Sequence, residues 1–110
     1  EFRRVLFRSE SFAAAAANAD WSAKPGMGIS LNNQAGEKTW PITGATFILM
    51  HKKVDNASKS AEVLKFFDWA LTKGQPQASA LEYIPLPDAV VAKIKESWKQ
   101  ITDASGKPVI

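Results

Sequence analysis

The stretch Trp40-Pro41-Ile42-Thr43-Gly44-Ala45-Thr46-Phe47-Ile48-Leu49-Met50-His51 decides the fold class. Residues 46–50 form a short, continuous run of apolar and β-branched side chains, the pattern of a strand buried on both faces. Pro41 and Gly44 precede the run, where the chain has to bend, and suit that place better than a strand's middle. Upstream, the alanine run at residues 13–17 predicts a short helix ending near Asn18 to Asp20. Residues 21–38 are rich in Gly, Asn, Ser and Lys, with a turn signal at Pro25-Gly26, and read as an irregular connection with a brief strand at residues 28–31.

Downstream lie two amphipathic helices. In the first, Val63, Phe66, Phe67, Ala70 and Leu71 share a face flanked by Trp69. Ser58 or Ser60 caps its start, Glu62 sits in its first turn, and Lys73-Gly74 ends it. Residues 75–83 add a further helical turn before Pro85. The second helix opens at Pro87, whose missing N–H costs nothing at a first helical position. There Val90 or Val91, Ile94, Trp98 and Ile101 recur at three- and four-residue spacing, and Ser105-Gly106-Lys107-Pro108 closes it. At 110 residues the chain has the size of one domain. One strand cannot cover two such helices, however, so the stretch reads as part of a larger α/β domain.

Charge narrows the function. All three arginines (Arg3, Arg4, Arg8) lie in the first eight residues, and the rest of the chain has eleven lysines and no arginine. From Ser11 onward those lysines face nine carboxylates, a surplus of two, so the basic pI near 9.3 reflects a scattered background. Phe66, Phe67 and Trp98 occupy helical apolar faces, where core packing is the simpler use than stacking on nucleic acid. Lys65, Lys93, Lys95 and Lys99 read as solvated helix faces. With no cysteine, a disulfide scaffold, a Cys-rich zinc module and a thiol nucleophile are excluded. No apolar run approaches the ~20 residues of a membrane-spanning helix.

Residues 1–10 are a different text. As a secretory signal, the apolar stretch Val5-Leu6-Phe7 is too short and is closed by Arg8, Ser9 and Glu10. As a membrane anchor, one turn of apolar surface is too little. EFRRVLFRS looks like a translated cloning or sequencing adapter, and residues 1–10 are set aside as a non-native head.

No catalytic constellation emerges. His51, the single histidine, has neither a nucleophile nor a second ligand nearby and reads as structural. Glu62 and Asp68 are six residues apart and off one face, and no His, Asp and Glu spacing fits a metal. Gly26-Met27-Gly28 and Ser105-Gly106-Lys107 complete neither phosphate-loop pattern and read as turns. Thr43 and Thr46 bring two hydroxyls near a strand start, where an anion could meet them; the plainer reading is a bend entering the strand. The expectation is therefore no enzyme, no cofactor and no metal.

Several stretches in order carry a resemblance: Ala19-Asp20-Trp21-Ser22; Trp40 through Lys52; Glu62-Val63-Leu64-Lys65-Phe66-Phe67-Asp68-Trp69-Ala70; Leu86-Pro87-Asp88-Ala89-Val90-Val91; and Trp98-Lys99 with Ser105-Gly106-Lys107-Pro108. Together they resemble the PstS family, periplasmic solute receptors of the ABC phosphate importers, over residues 11–110. The resemblance implies the C-terminal part of a two-lobed α/β fold of the type II periplasmic-binding-protein kind, with one or two strands and three or more helices. Residues 11–39 would finish the second lobe, residues 40–44 would cross the hinge, and residues 45–110 would belong to the first lobe. It implies inorganic phosphate as ligand, an inner-membrane ABC permease as partner, a monomeric receptor, a periplasmic location and no nucleic acid. The family holds phosphate by helix-start N–H groups, hydroxyls, an arginine and a carboxylate. Its Ser-Gly-Thr motif, arginine and carboxylate come from earlier in the receptor, so no ligand residue carries over. Thr43 and Thr46 at most frame the cleft, and this stretch alone is not expected to bind. The alternative is a small basic module that uses its arginine head on nucleic acid or anionic membrane.

Overall fold

A computed structural model describes residues 7–110. Their secondary structure is helical: α1 (Ser9–Asn18), α2 (Ala57–Leu71), α3 (Gln75–Ala80) and α4 (Asp88–Trp98), with a 3₁₀ turn at Pro25–Met27. The chain divides into two compact units. One comprises residues up to Thr46 together with Ile84–Val90, the other Phe47–Tyr83 and Val91–Ile110.

In the first unit α1 forms on the alanine run, as its propensity dictates, with Glu10 in the first turn, where a carboxylate meets the positive end of the helix dipole. It begins at Ser9, so Ser9 and Glu10 of the head that was set aside supply its first turn, and Phe7 sets its ring edge-on to Phe12 and Trp40 at 5.1 and 5.0 Å. After Asn18 the chain turns to extended backbone at Ala19, and the last carbonyls of α1 lose their intrahelical donors. Trp21 folds back, and its Nε1–H donates to the Ala16 carbonyl at 2.8 Å. That bond satisfies the carbonyl and lets the indole stay buried. The strand expected at residues 28–31 is absent. Gly26 and Met27 both have positive φ, and the Ile29 N–H closes onto the Met27 carbonyl at 2.9 Å, a curl incompatible with extended pairing.

The run at residues 46–50 is also no strand. Among the described residues, β pairing is confined to two isolated bridges, Lys53 with Thr102 and Thr102 with Pro108. A strand exists only against a neighbour's edge, and no second strand among the described residues offers one. Phe47, Ile48 and Leu49 are instead 46, 58 and 92% exposed.

In the second unit the two bridges organise the core. Val54 N–H donates to the Thr102 carbonyl (2.9 Å), Thr102 N–H to Lys52 (2.7 Å), and Val109 N–H to Ile101 (3.0 Å). These pairings hold Val54 and Ile101 against Leu64, with Met50, Trp98 and Val109 packed around them. The inward residue of α2 is thus Leu64, and the expected Phe66 faces solvent, its ring edge-on to Phe67 at 5.4 Å and tilted against Trp69 at 6.0 Å. The cap of α2 is Asn56, whose Oδ1 accepts the Lys59 N–H at 2.9 Å, rather than Ser58 or Ser60. Such a cap contributes about 1 kcal/mol. Past α2 the Gly74 N–H donates to the Trp69 carbonyl at 2.9 Å, and a Cβ on Gly74 would lie 3.0 Å from the Ala70 Cα, so the tight exit admits little but glycine. The lysine faces are partly paired: Lys65 with Glu62, Lys99 with Glu96, and Lys95 of α4 with Asp68 of α2 at 2.5 Å. Helix α4 starts at Asp88, one residue past Pro87, whose carbonyl accepts the Val90 N–H.

Ser105 and Gly106 lie in a turn beyond α4 that is built on Asp103. Its Oδ1 accepts from the Ser105 hydroxyl (2.6 Å), the Ser105 N–H (2.8 Å) and the Lys107 N–H (3.0 Å). The Ser105 hydroxyl above all, then the Lys107 amide, hold this carboxyl below the usual aspartate range. A depressed folded value means the turn's support is complete above roughly pH 4, the ordinary value, and fades as pH falls through the lowered one. An NMR titration should place the Asp103 midpoint below the ordinary value, and Ser105→Ala should raise it. An unchanged midpoint in that variant would show the hydroxyl is not the cause.

Candidate functional site

Thr43 is half-buried. Its N–H donates to Asn32 Oδ1 at 3.0 Å, and its hydroxyl donates to the Trp40 carbonyl at 3.2 Å. An anion requires donors, and the one hydroxyl proton of Thr43 is already committed to a backbone carbonyl. Thr46 is exposed. The structure therefore gives the pair no shared set of free donors.

His51 is exposed at the rim of a hollow of about 400 Å³ beside the start of α2, lined also by Lys53, Asp55, Asn56, Lys59 and Ser60. The sequence reading did not single this hollow out, because its residues converge only once the chain turns from Lys53 into α2. Two lysines and a helix start favour anions there, but Asp55 opposes them, and the Asn56 side chain already accepts the Lys59 N–H. Its basic side chains are exposed, and water competes with any ion they would hold.

Among the described residues no three His, Asp or Glu side chains cluster as a metal site would require. No helix there is long and apolar enough to cross a membrane. Phe66 and Trp69, which are exposed on α2, have Lys65 beside them in sequence, but that lysine is paired with Glu62 at 2.7 Å. Nothing in this arrangement supports the basic-module alternative.

Comparison with known proteins supplies what the geometry lacks. No family model matches the chain. Among curated proteins it is 53% identical over 91 residues to the phosphate-binding protein PstS of Haemophilus influenzae, covering 83% of this chain and 27% of that protein. It is 45% identical over 100 residues to PstS of Pasteurella multocida (90% and 29%), and 46% identical over 90 residues to PstS of Xylella fastidiosa (82% and 25%). The chain thus spans between a quarter and three tenths of the length of these relatives. Identity at this level, sustained over more than four fifths of the sequence and repeated in three organisms, places the chain in a family: it belongs to the PstS phosphate-binding proteins.

Proposed function

We propose that this chain is the C-terminal part of a phosphate receptor that binds inorganic phosphate outside the cytoplasm and delivers it to an ABC-type import permease. The observation that carries the reading is the 45–53% identity to PstS proteins across most of the chain. Such a family has the periplasmic-binding-protein fold, here of the two-lobed type II kind. Residues 11–39 finish one lobe, residues 40–44 cross the hinge, and residues 45–110 belong to the other. The receptor is a monomer, and its work is binding without reaction. Thr43 and Thr46 frame the cleft from the hinge side without holding the ligand.

The chain on its own is not ligand-competent. A dehydrated phosphate needs several converging donors and a cation. No arginine follows Arg8, and Thr43 spends its proton internally. Discrimination against sulfate needs a carboxylate that accepts the phosphate proton, because an unmet buried acceptor costs about 1–3 kcal/mol. By the resemblance, that carboxylate comes from earlier in the receptor. Calorimetric titration of the 110-residue chain with inorganic phosphate should give no binding heat, and the receptor encoded by the complete reading frame should bind. Micromolar binding by the 110 residues would refute their incompetence. A complete frame without a preceding lobe carrying the Ser-Gly-Thr motif would refute the receptor reading. Removing residues 1–10 should alter neither result, whereas the basic module would lose its partner.

A further inference from the structure

We infer that Asn32 is a positioning residue for lobe movement: its side chain holds the backbone at Thr43, near the end of the run that crosses between the lobes. This rests on the receptor reading, in which residues 40–44 are that crossing. Asn32 Oδ1 accepts the Thr43 N–H at 3.0 Å, a bond between residues eleven apart in the chain. Two backbone bonds run beside it. The Asn33 N–H donates to the Pro41 carbonyl at 2.9 Å, and the Trp40 N–H donates to the Ser11 carbonyl at 3.0 Å. The Thr43 hydroxyl closes the bend on itself by donating to the Trp40 carbonyl at 3.2 Å. All of these residues lie in the first unit. The crossing is thus seated on α1 at Trp40, and on the loop before it at Pro41 and Thr43.

The loop that carries Asn32 is held from within. Leu31 is buried, the Asn32 N–H donates to the Ser30 hydroxyl at 3.2 Å, and Gln34 Nε2 donates to the Ser30 carbonyl at 2.8 Å. Asn33 has φ +52°, a left-handed conformation that asparagine adopts more readily than most residues. Asn32 therefore meets Thr43 from a fixed platform. Its chemistry suits the place, because the amide oxygen accepts an N–H without setting a negative charge beside a run that would frame an anion. In a two-lobed receptor, a few residues absorb the φ/ψ change between open and closed states. A bond near one end of those residues fixes where the change begins. Without it the crossing gains freedom, more in the open state than in the closed one, where the ligand restrains it. Opening is then favoured, and the effect falls on phosphate release.

The test uses the receptor encoded by the complete reading frame, with inorganic phosphate as the probe in stopped-flow kinetics. In Asn32→Ala the dissociation rate constant should rise about 2- to 10-fold, the worth of one hydrogen bond, with association within about twofold of wild type. The Thr43 amide should exchange faster with solvent in the same variant. Loss of folded protein alone would lower the bound fraction and leave the dissociation rate constant where it was. Asn32→Asp keeps an acceptor oxygen in place. It should restore slow release in about 0.5 M salt, where its charge is screened beyond about 4 Å. A release rate raised less than about twofold in Asn32→Ala overturns the inference, as does an unchanged Thr43 amide. So does an Asn32→Asp receptor that releases phosphate as fast as the alanine variant. A wild-type receptor that binds no phosphate refutes the receptor reading itself, and this inference falls with it.

Discussion

Leu64→Ala should lower the stability of the second unit by about 2–5 kcal/mol, the range for emptying a leucine site in a packed core. Leu64 is 1% exposed and lies where three separate stretches meet: Val54 before α2, Ile101 after α4, and α2 itself. Val54 and Ile101 are fixed in place by the backbone pairings through Thr102, so neither can slide inward to fill the void. Met50, Trp98 and Val109 close the periphery. Of these Met50 is the most adaptable, and its partial collapse sets the lower end of the range. A whole domain commands about 5–15 kcal/mol, so a loss of this size takes a large share. Urea unfolding followed by helical circular dichroism should show a lower midpoint with an unchanged slope. A loss under about 1 kcal/mol would mean that Leu64 is not the centre of this core. Phe66→Ala is the internal comparison: its ring is 59% exposed, and its removal should cost far less.

That contrast also marks how far the sequence could be read. Helix positions followed from local chemistry: the alanines made α1, the turn containing Lys73-Gly74 ended α2, and Pro87 preceded α4. The facing of α2 did not follow. Val63, Phe66, Phe67, Ala70 and Leu71 form a plausible stripe, but Leu64 sits beside it on a helix with apolar side chains around more than half its circumference. Which stripe turns inward is set by Val54 and Ile101, and those arrive through the Lys53–Thr102 bridge, which no period in the sequence announces. The same limit explains residues 46–50. Their composition states a preference for a strand, while a strand requires a neighbour that the described residues do not provide. Asn56 was overlooked as a cap because two serines stood closer to the apolar periodicity. The site was legible only by likeness, since a phosphate cleft draws on ligands from distant parts of a receptor, and the residues here hold no pattern of their own.

Gly36→Ala should destabilise the first unit by about 1–3 kcal/mol, the cost of a residue forced into a sparsely populated backbone region. Gly36 has φ +114°, which side-chain-bearing residues rarely adopt, and a Cβ there would fall 2.7 Å from Asn18 Nδ2 and 3.5 Å from Thr39 Cγ2. Rotating the peptide to relieve the strain would disturb the Gly36 carbonyl, which lies 2.5 Å from the Thr39 hydroxyl. Thr39 is 1% exposed, so its hydroxyl has no water to turn to, and the Gln34 carbonyl at 3.0 Å and the Ala35 carbonyl at 3.5 Å are the remaining acceptors. The contact with Asn18 is the lesser part, because that amide is the end of a flexible side chain. Repeating the substitution in an Asn18→Ala background should therefore recover only a minor fraction of the loss, and full recovery would assign the effect to the clash instead of to the backbone. The readout is hydrogen exchange at the Trp40 amide, which is bonded to the Ser11 carbonyl at 3.0 Å directly after Thr39. A loss of this size should speed exchange there about 5- to 150-fold if the bond opens with the unit. Exchange within twofold of wild type would show that the loop tolerates a side chain, and that the positive φ at Gly36 is not what closes it against α1.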